Sequence, residues 1–127
     1  LMYLDAPVRA LSAARQALSP GGLLVAATWA EPERVDYLML PRAALERCGA
    51  VPPIDHNTPG EFYYADPQRL TADFLAAGLT IQHMEEIHVD VMEAQSSTEL
   101  VAWARAFGAS RLLKGTSAAT QRKWERE

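Results

Sequence analysis

Residues 11–29 read LSAARQALSPGGLLVAATW, and their pattern decides the fold expected of the whole chain. Leu11, Ala14 and Leu18 continue, at helical spacing, an apolar stripe begun at Val8. Ser19-Pro20-Gly21-Gly22 then stops the helix, because proline cannot continue it and glycine accepts the left-handed backbone of a helix end or tight turn. Leu23 to Trp29 follows as an apolar run with no polar residue before Thr28. That is the pattern of a strand covered on both faces, as in a parallel sheet flanked by helices. The expectation is an α/β fold of the doubly wound kind, in which ligands sit at the carboxyl ends of strands, and Trp29 stands at such an end.

Outward from this stretch, Asp5 can cap the first helix, with Pro7 in its first turn. Residues 35–48 predict a second helix offering Tyr37, Leu38, Leu40, Leu45 and Cys48 for packing, kinked or split by Pro41. Residues 49–65 have no regular period and form a long proline-bearing loop, of a length usually functional or disordered. Asp66-Pro67 opens a third helix, with Leu70, Phe74 and Ala77 on one face and Gly78 at its end. Leu79 to Val91 predicts a second strand: Leu79, Ile81, Ile87, Val89 and Val91 share a face opposite Thr80, Gln82, Glu86, His88 and Asp90. Ser96-x-x-Glu99 is a capping box for a fourth helix carrying Leu100, Trp103, Ala104 and Phe107. Ser117 can cap a last helix, where QRKWERE offers only Trp124 for burial and is expected to fray.

The ordered series LMYLDAPVRALSAARQALSPGGLLVAATW, then Phe62-Tyr63-Tyr64, Asp66-Pro67, Leu70 and Ala76-Ala77-Gly78-Leu79, resembles a class I S-adenosylmethionine-dependent methyltransferase. The similarity is to the small-molecule branch typified by ubiquinone and menaquinone biosynthesis. It implies a Rossmann-like sheet with strands at 23–29 and 79–91. The fourth strand would precede Leu1 and the seventh would follow Glu127, so residues 1–127 are expected to be the C-terminal, acceptor-side portion of a methyltransferase domain. The resemblance places Leu1, Met2 and Tyr3 on backbone that passes close to the methyl donor, conditional on an N-terminal half. Gly21-Gly22 precedes a predicted strand rather than following one, so it is punctuation and not a cofactor cradle.

The bulk properties suit one domain or part of one. The chain has 127 residues, 49% of them hydrophobic, and a formal charge of −4 with acids and bases interspersed. No basic footprint for nucleic acid is present, and no apolar run approaches the roughly 20 residues that span a bilayer. No signal peptide is legible. The single cysteine, Cys48, rules out an internal disulfide and suits a reducing, cytoplasmic setting; its expected place is a helix face, as a small hydrophobe.

Among candidate chemical residues, Trp29 fits either an acceptor-pocket wall or a packing position. Tyr63 and Tyr64, with Asp55 and His56 on the long loop, fit an acceptor lid, since functional residues favour such loops. The alternative is a solvated loop with one tyrosine packed inward. His56 is the one histidine considered as a general base, its pKa lying near working pH. His83 and His88 would face opposite sides of a strand, and no Cys, His or acid spacing supports a metal.

Methyl transfer asks the protein mainly to align the acceptor with an already activated methyl group and to exclude water, so the acceptor itself is not legible. The expected function is methyl transfer from S-adenosylmethionine to a small molecule. The alternative is a non-catalytic α/β remnant or binding module without cofactor binding. A hydrolase is disfavoured by the absence of a G-x-S-x-G elbow. Open strand edges at 23–29 and 79–91 would allow self-association by strand addition.

Overall fold

The computed structural model describes residues 1–91, 93–107 and 109–126. Six α-helices stand among them: α1 (Pro7–Ala17), α2 (Asp36–Arg47), α3 (Pro67–Ala76), α4 (Ser97–Ala106), α5 (Ser110–Leu113) and α6 (Ala118–Trp124), with a 3-10 turn at Pro32–Arg34. The chain divides into two compact units, each made of two stretches: Leu1–Glu31 with Asp55–Ile87, and Pro32–Ile54 with His88–Glu127.

In unit 1, α1 and α3 bury Leu11, Phe74 and Ala77 together, with Leu1, Val8, Leu70, Leu79 and Ile81 packed around them. Asp66 caps α3 as its sequence promises, its carboxylate accepting the Gln68 N–H at 2.8 Å. The other end closes in a Schellman motif. Gly78 N–H bonds to Leu75 O at 2.9 Å and Leu79 N–H to Phe74 O at 3.0 Å, and Leu79 packs onto the core. Gly78 is favoured there because its φ is +77°, a backbone that L side chains rarely adopt. The start of α1 departs from expectation. Its cap position is Ala6, without a side-chain bond, and Asp5 lies outside; Pro7 at the first helical position removes an N–H that would otherwise need a cap.

In unit 2, α2 and α4–α6 bury Ala44, Leu45, Ala104, Ala109, Leu113 and Trp124 as one cluster, with the α2 C-cap residue Cys48 half-buried against it. Helix α2 runs unbroken through Pro41, so the expected split does not occur. Proline removes one helical hydrogen bond, but Pro41 is buried and its carbonyl accepts the Trp124 indole N–H at 2.9 Å. That contact also anchors the last helix through Trp124, the one residue of 121–127 offered for burial, and Glu125 and Arg126 follow it as a turn. Trp124 is 4% exposed and closes α6, against a partner 83 residues away that no local pattern announces; Glu127 lies outside the described residues. The capping box forms with one shift. Ser96 Oγ accepts the Glu99 N–H at 3.2 Å, while the Glu99 carboxylate accepts from Gln95 N–H at 2.9 Å rather than from Ser96.

The α/β Rossmann-like sheet is not found: among the described residues there is no strand, and both 23–29 and 79–91 run without regular secondary structure. Leu79 and Ile81 pack onto the α1–α3 core and Trp29 is half-buried, but most of their other apolar side chains face solvent, with Val25 89%, Ile87 70% and Leu23 66% exposed. The physical reason is the non-locality of strands. Hydrophobic pattern and β-propensity say which residues suit a sheet, but a strand exists only where a neighbour about 4.8 Å away completes its ladder. No described segment supplies that neighbour. Helices α1 and α3, whose hydrogen bonds are internal, form regardless. No described helix is long and apolar enough to cross a membrane.

Truncating Leu45, with no exposed surface, to alanine is expected to destabilise unit 2 by about 2–5 kcal/mol. Leu40→Ala, on the same helix but 59% exposed, should change stability by less than about 0.5 kcal/mol. Urea titrations followed by tryptophan fluorescence compare the two directly.

Candidate functional site

The loop that joins the units ends in unit 1 as residues 55–65, and side chains rather than regular structure give it its shape. Asp55 Oδ1 accepts the Asn57 N–H at 2.9 Å, and Thr58 Oγ1 donates to Asp55 O at 3.2 Å, forming a tight Asx-type turn. Further turns close at Tyr63 N–H to Gly60 O, 3.2 Å, and at Ala65 N–H to Phe62 O, 3.1 Å. Between them the Gly60 N–H donates to Met2 O at 2.9 Å. The structure thereby brings together two groups of residues singled out in the sequence: the chain start 1–3 and the loop 55–64.

Helix α3 holds this loop through two residues that the sequence did not mark. The Arg69 guanidinium donates to the carbonyls of His56 and Tyr63, the latter at 3.0 Å, and to Asn57 Oδ1 at 3.1 Å. It also lies over the Tyr63 ring, 4.9 Å from the centroid. One turn further on, Asp73 accepts the Tyr64 hydroxyl at 2.6 Å. In sequence, Arg69 and Asp73 are an ordinary i, i+4 charged pair on the outer face of a helix. Their partners lie 6 to 13 residues back in a segment without periodicity.

Tyr63 and Tyr64 therefore separate in role. Their rings meet edge to face, 4.9 Å apart at 84°, yet Tyr64 is 2% exposed and belongs to the core, whereas Tyr63 is half-buried and presents a face. Burial pushes the Tyr64 phenol well above its ordinary value, and the hydrogen bond to Asp73 and that residue's negative charge push it further; Arg69 opposes them weakly. A phenol held neutral in a dry position is a structural strut.

The remaining candidates lie as follows. His56 is exposed, and the bond anchoring it to α3 runs through its carbonyl, not its imidazole. Trp29 is half-buried in unit 1. Leu1 packs against the α1–α3 core, Met2 supplies the carbonyl for Gly60, and Tyr3 is 48% exposed. His83 and His88 make only local contacts on exposed chain, with Glu85 at 3.5 Å and Asp90 at 3.8 Å. No group of three or more His, Cys, Asp or Glu able to hold a metal occurs among the described residues.

Compared with known proteins, the chain matches no family model, no curated protein and no solved structure.

The Tyr64 shift makes a testable link to pH. Its folded pKa is raised above the unfolded value of 10.0, so the phenol's contribution to stability is fully present below pH 10 and is lost as pH rises through the folded pKa. Unit 1 of the wild type should lose stability progressively above pH 10. Tyr64→Phe should be less stable at neutral pH by about 1–2 kcal/mol, with a flatter alkaline limb. Chemical denaturation at pH 7, 10 and 11 measures both slopes.

Proposed function

We propose that this chain serves S-adenosylmethionine-dependent methyl transfer to a small-molecule acceptor, forming the acceptor side of the site. The observation that carries this reading is the Gly60–Met2 hydrogen bond. It ties the loop suited to closing over an acceptor to the backbone that the methyltransferase resemblance associates with the methyl donor. The reading concerns this local arrangement and the order of motifs along the chain, and it does not call on a parallel sheet.

Residues 1–3 suit one edge of a cofactor site: a backbone turn, closed by Leu4 N–H to Leu1 O at 3.1 Å, followed by an exposed aromatic at Tyr3. The Gly-rich turn and acidic residue with which the resembled family holds the rest of its cofactor have no counterpart in residues 1–127. The sulfonium supplies an activated methyl group; the chain's own residues would orient the acceptor and keep water out. Tyr63, pinned by Arg69 on one face and Tyr64 at its edge, is a rigid aromatic platform for that purpose. Trp29 is the second aromatic of unit 1 suited to it. The exposed His56 imidazole is the group able to take a proton from an acceptor hydroxyl or amine.

The complete gene product, incubated with S-adenosylmethionine and small-molecule extracts, is expected to release S-adenosylhomocysteine. Tyr63→Ala should lower kcat/KM for the acceptor about tenfold, one lost contact worth roughly 1.4 kcal/mol. Because Tyr63 is only half-buried, it should leave the thermal midpoint nearly unchanged. No release above background with any extract would sink the reading in favour of a binding module, and equal losses of activity and stability would make Tyr63 a packing residue.

A further inference from the structure

Arg69 is the most densely bonded charged side chain of unit 1, and every acceptor it meets is neutral. One terminal nitrogen donates to His56 O and Tyr63 O, the other to Asn57 Oδ1, and the π face of Tyr63 lies beneath. The nearby carboxylates of its own helix are committed elsewhere: Asp66 caps the Gln68 N–H and Asp73 accepts from Tyr64. The Asp55 carboxylate, on the loop, accepts from the Asn57 backbone. Arg69, a half-buried residue, here directs its guanidinium to uncharged oxygens. Bonds from Arg to an anionic oxygen are roughly twice as strong as those to a neutral one, and a planar oxyanion engages both terminal nitrogens at once. His56 O and Asn57 Oδ1 occupy that same pair of nitrogens, one each, as the two oxygens of a carboxylate would.

We infer that Arg69 is an oxyanion-recognition residue, covered by an uncharged strap: His56 and Asn57, in the stretch 56–58, occupy its fork until a ligand bearing a carboxylate or phosphate displaces them. The inference rests on the acceptor-loop reading above and specifies the acceptor as an anion. The strap is built to move at this point. His56, Asn57 and Thr58 are exposed, while the chain that follows them is fastened by Gly60 to Met2 and by Tyr64 to Asp73. Tyr63 can stay stacked on the guanidinium as the strap leaves, so one residue would clamp the anion and orient the aromatic beside it. Asp55, Asp66 and Asp73 surround the site with negative charge, which keeps the affinity for a free anion low, with Kd on the order of millimolar.

The full 127-residue chain is titrated with succinate and, separately, with inorganic phosphate at constant ionic strength, without cofactor. Hydrogen exchange at the backbone amides of residues 56–58 reports the strap. One anion should bind, and its binding should speed that exchange severalfold; which anion binds tells carboxylate from phosphate. Arg69→Gln should bind neither and exchange fast with or without anion. Arg69→Lys keeps the charge without the fork, guards against a folding defect in the first variant, and should bind about ten- to a hundredfold more weakly than the wild type. Equal binding by wild type and Arg69→Lys, no binding of either anion, or binding that leaves the exchange unchanged each overturns the inference. With no cofactor in the assay, such a failure leaves methyl transfer open; a failure to release S-adenosylhomocysteine leaves anion binding open.

Discussion

The guanidinium of Arg69 gathers the 55–64 loop onto α3. A segment with four of its first five residues polar, a proline and a glycine, and no helix or strand has few ways to satisfy its own backbone. Arg69 supplies three donors from a fixed point on α3, reaching His56, Asn57 and Tyr63 together. Once those are set, Tyr64 falls under the helix onto Asp73 and Gly60 meets Met2. The site in unit 1 is thus organised outward from a rigid helix, the arrangement that holds functional side chains more closely than a free loop can.

What could be read from the sequence follows the range of the interactions concerned. Helix ends were legible because their chemistry is local. Asp66-Pro67, Ser96 with Glu99, Ser117 and Gly78 all act within four residues, and the structure shows each at its post. The loop at 49–65 was legible for the same reason, through its prolines and missing period. The two strands were not secured by their pattern, because Leu23–Trp29 and Leu79–Val91 specify apolar faces but not the ladder partner that would make them strands. Alternation is a statement about one chain segment; a sheet is a relation between at least two.

The site residues divide along the same line. Tyr63, Tyr64 and His56 drew attention as aromatic and titratable groups on a long loop, but the sequence left open which tyrosine turns inward. Burial answers it for Tyr64. Arg69 and Asp73 carried no signal beyond helical charge spacing, and Trp124 looked like the lone apolar residue of a fraying end. Each is defined by a partner elsewhere in the chain: a loop carbonyl, a buried phenol, the carbonyl of Pro41.

The interleaving of the two units has a consequence for how the chain acquires its structure as it is synthesised. Unit 1 opens at Leu1, is interrupted after Glu31, and resumes at Asp55; unit 2 opens at Pro32 and resumes at His88. Emerging from the ribosome, α1 must therefore wait for α3. Helix α2, with Leu45 and the Pro41 carbonyl uncovered, must wait through the whole of Asp55–Ile87 for the indole of Trp124. Closing loops this long lowers folding rates more than it lowers final stability. Unit 1 can be complete while unit 2 is still half-made, and the apolar face of α2 is then the part of the nascent protein most in need of a chaperone.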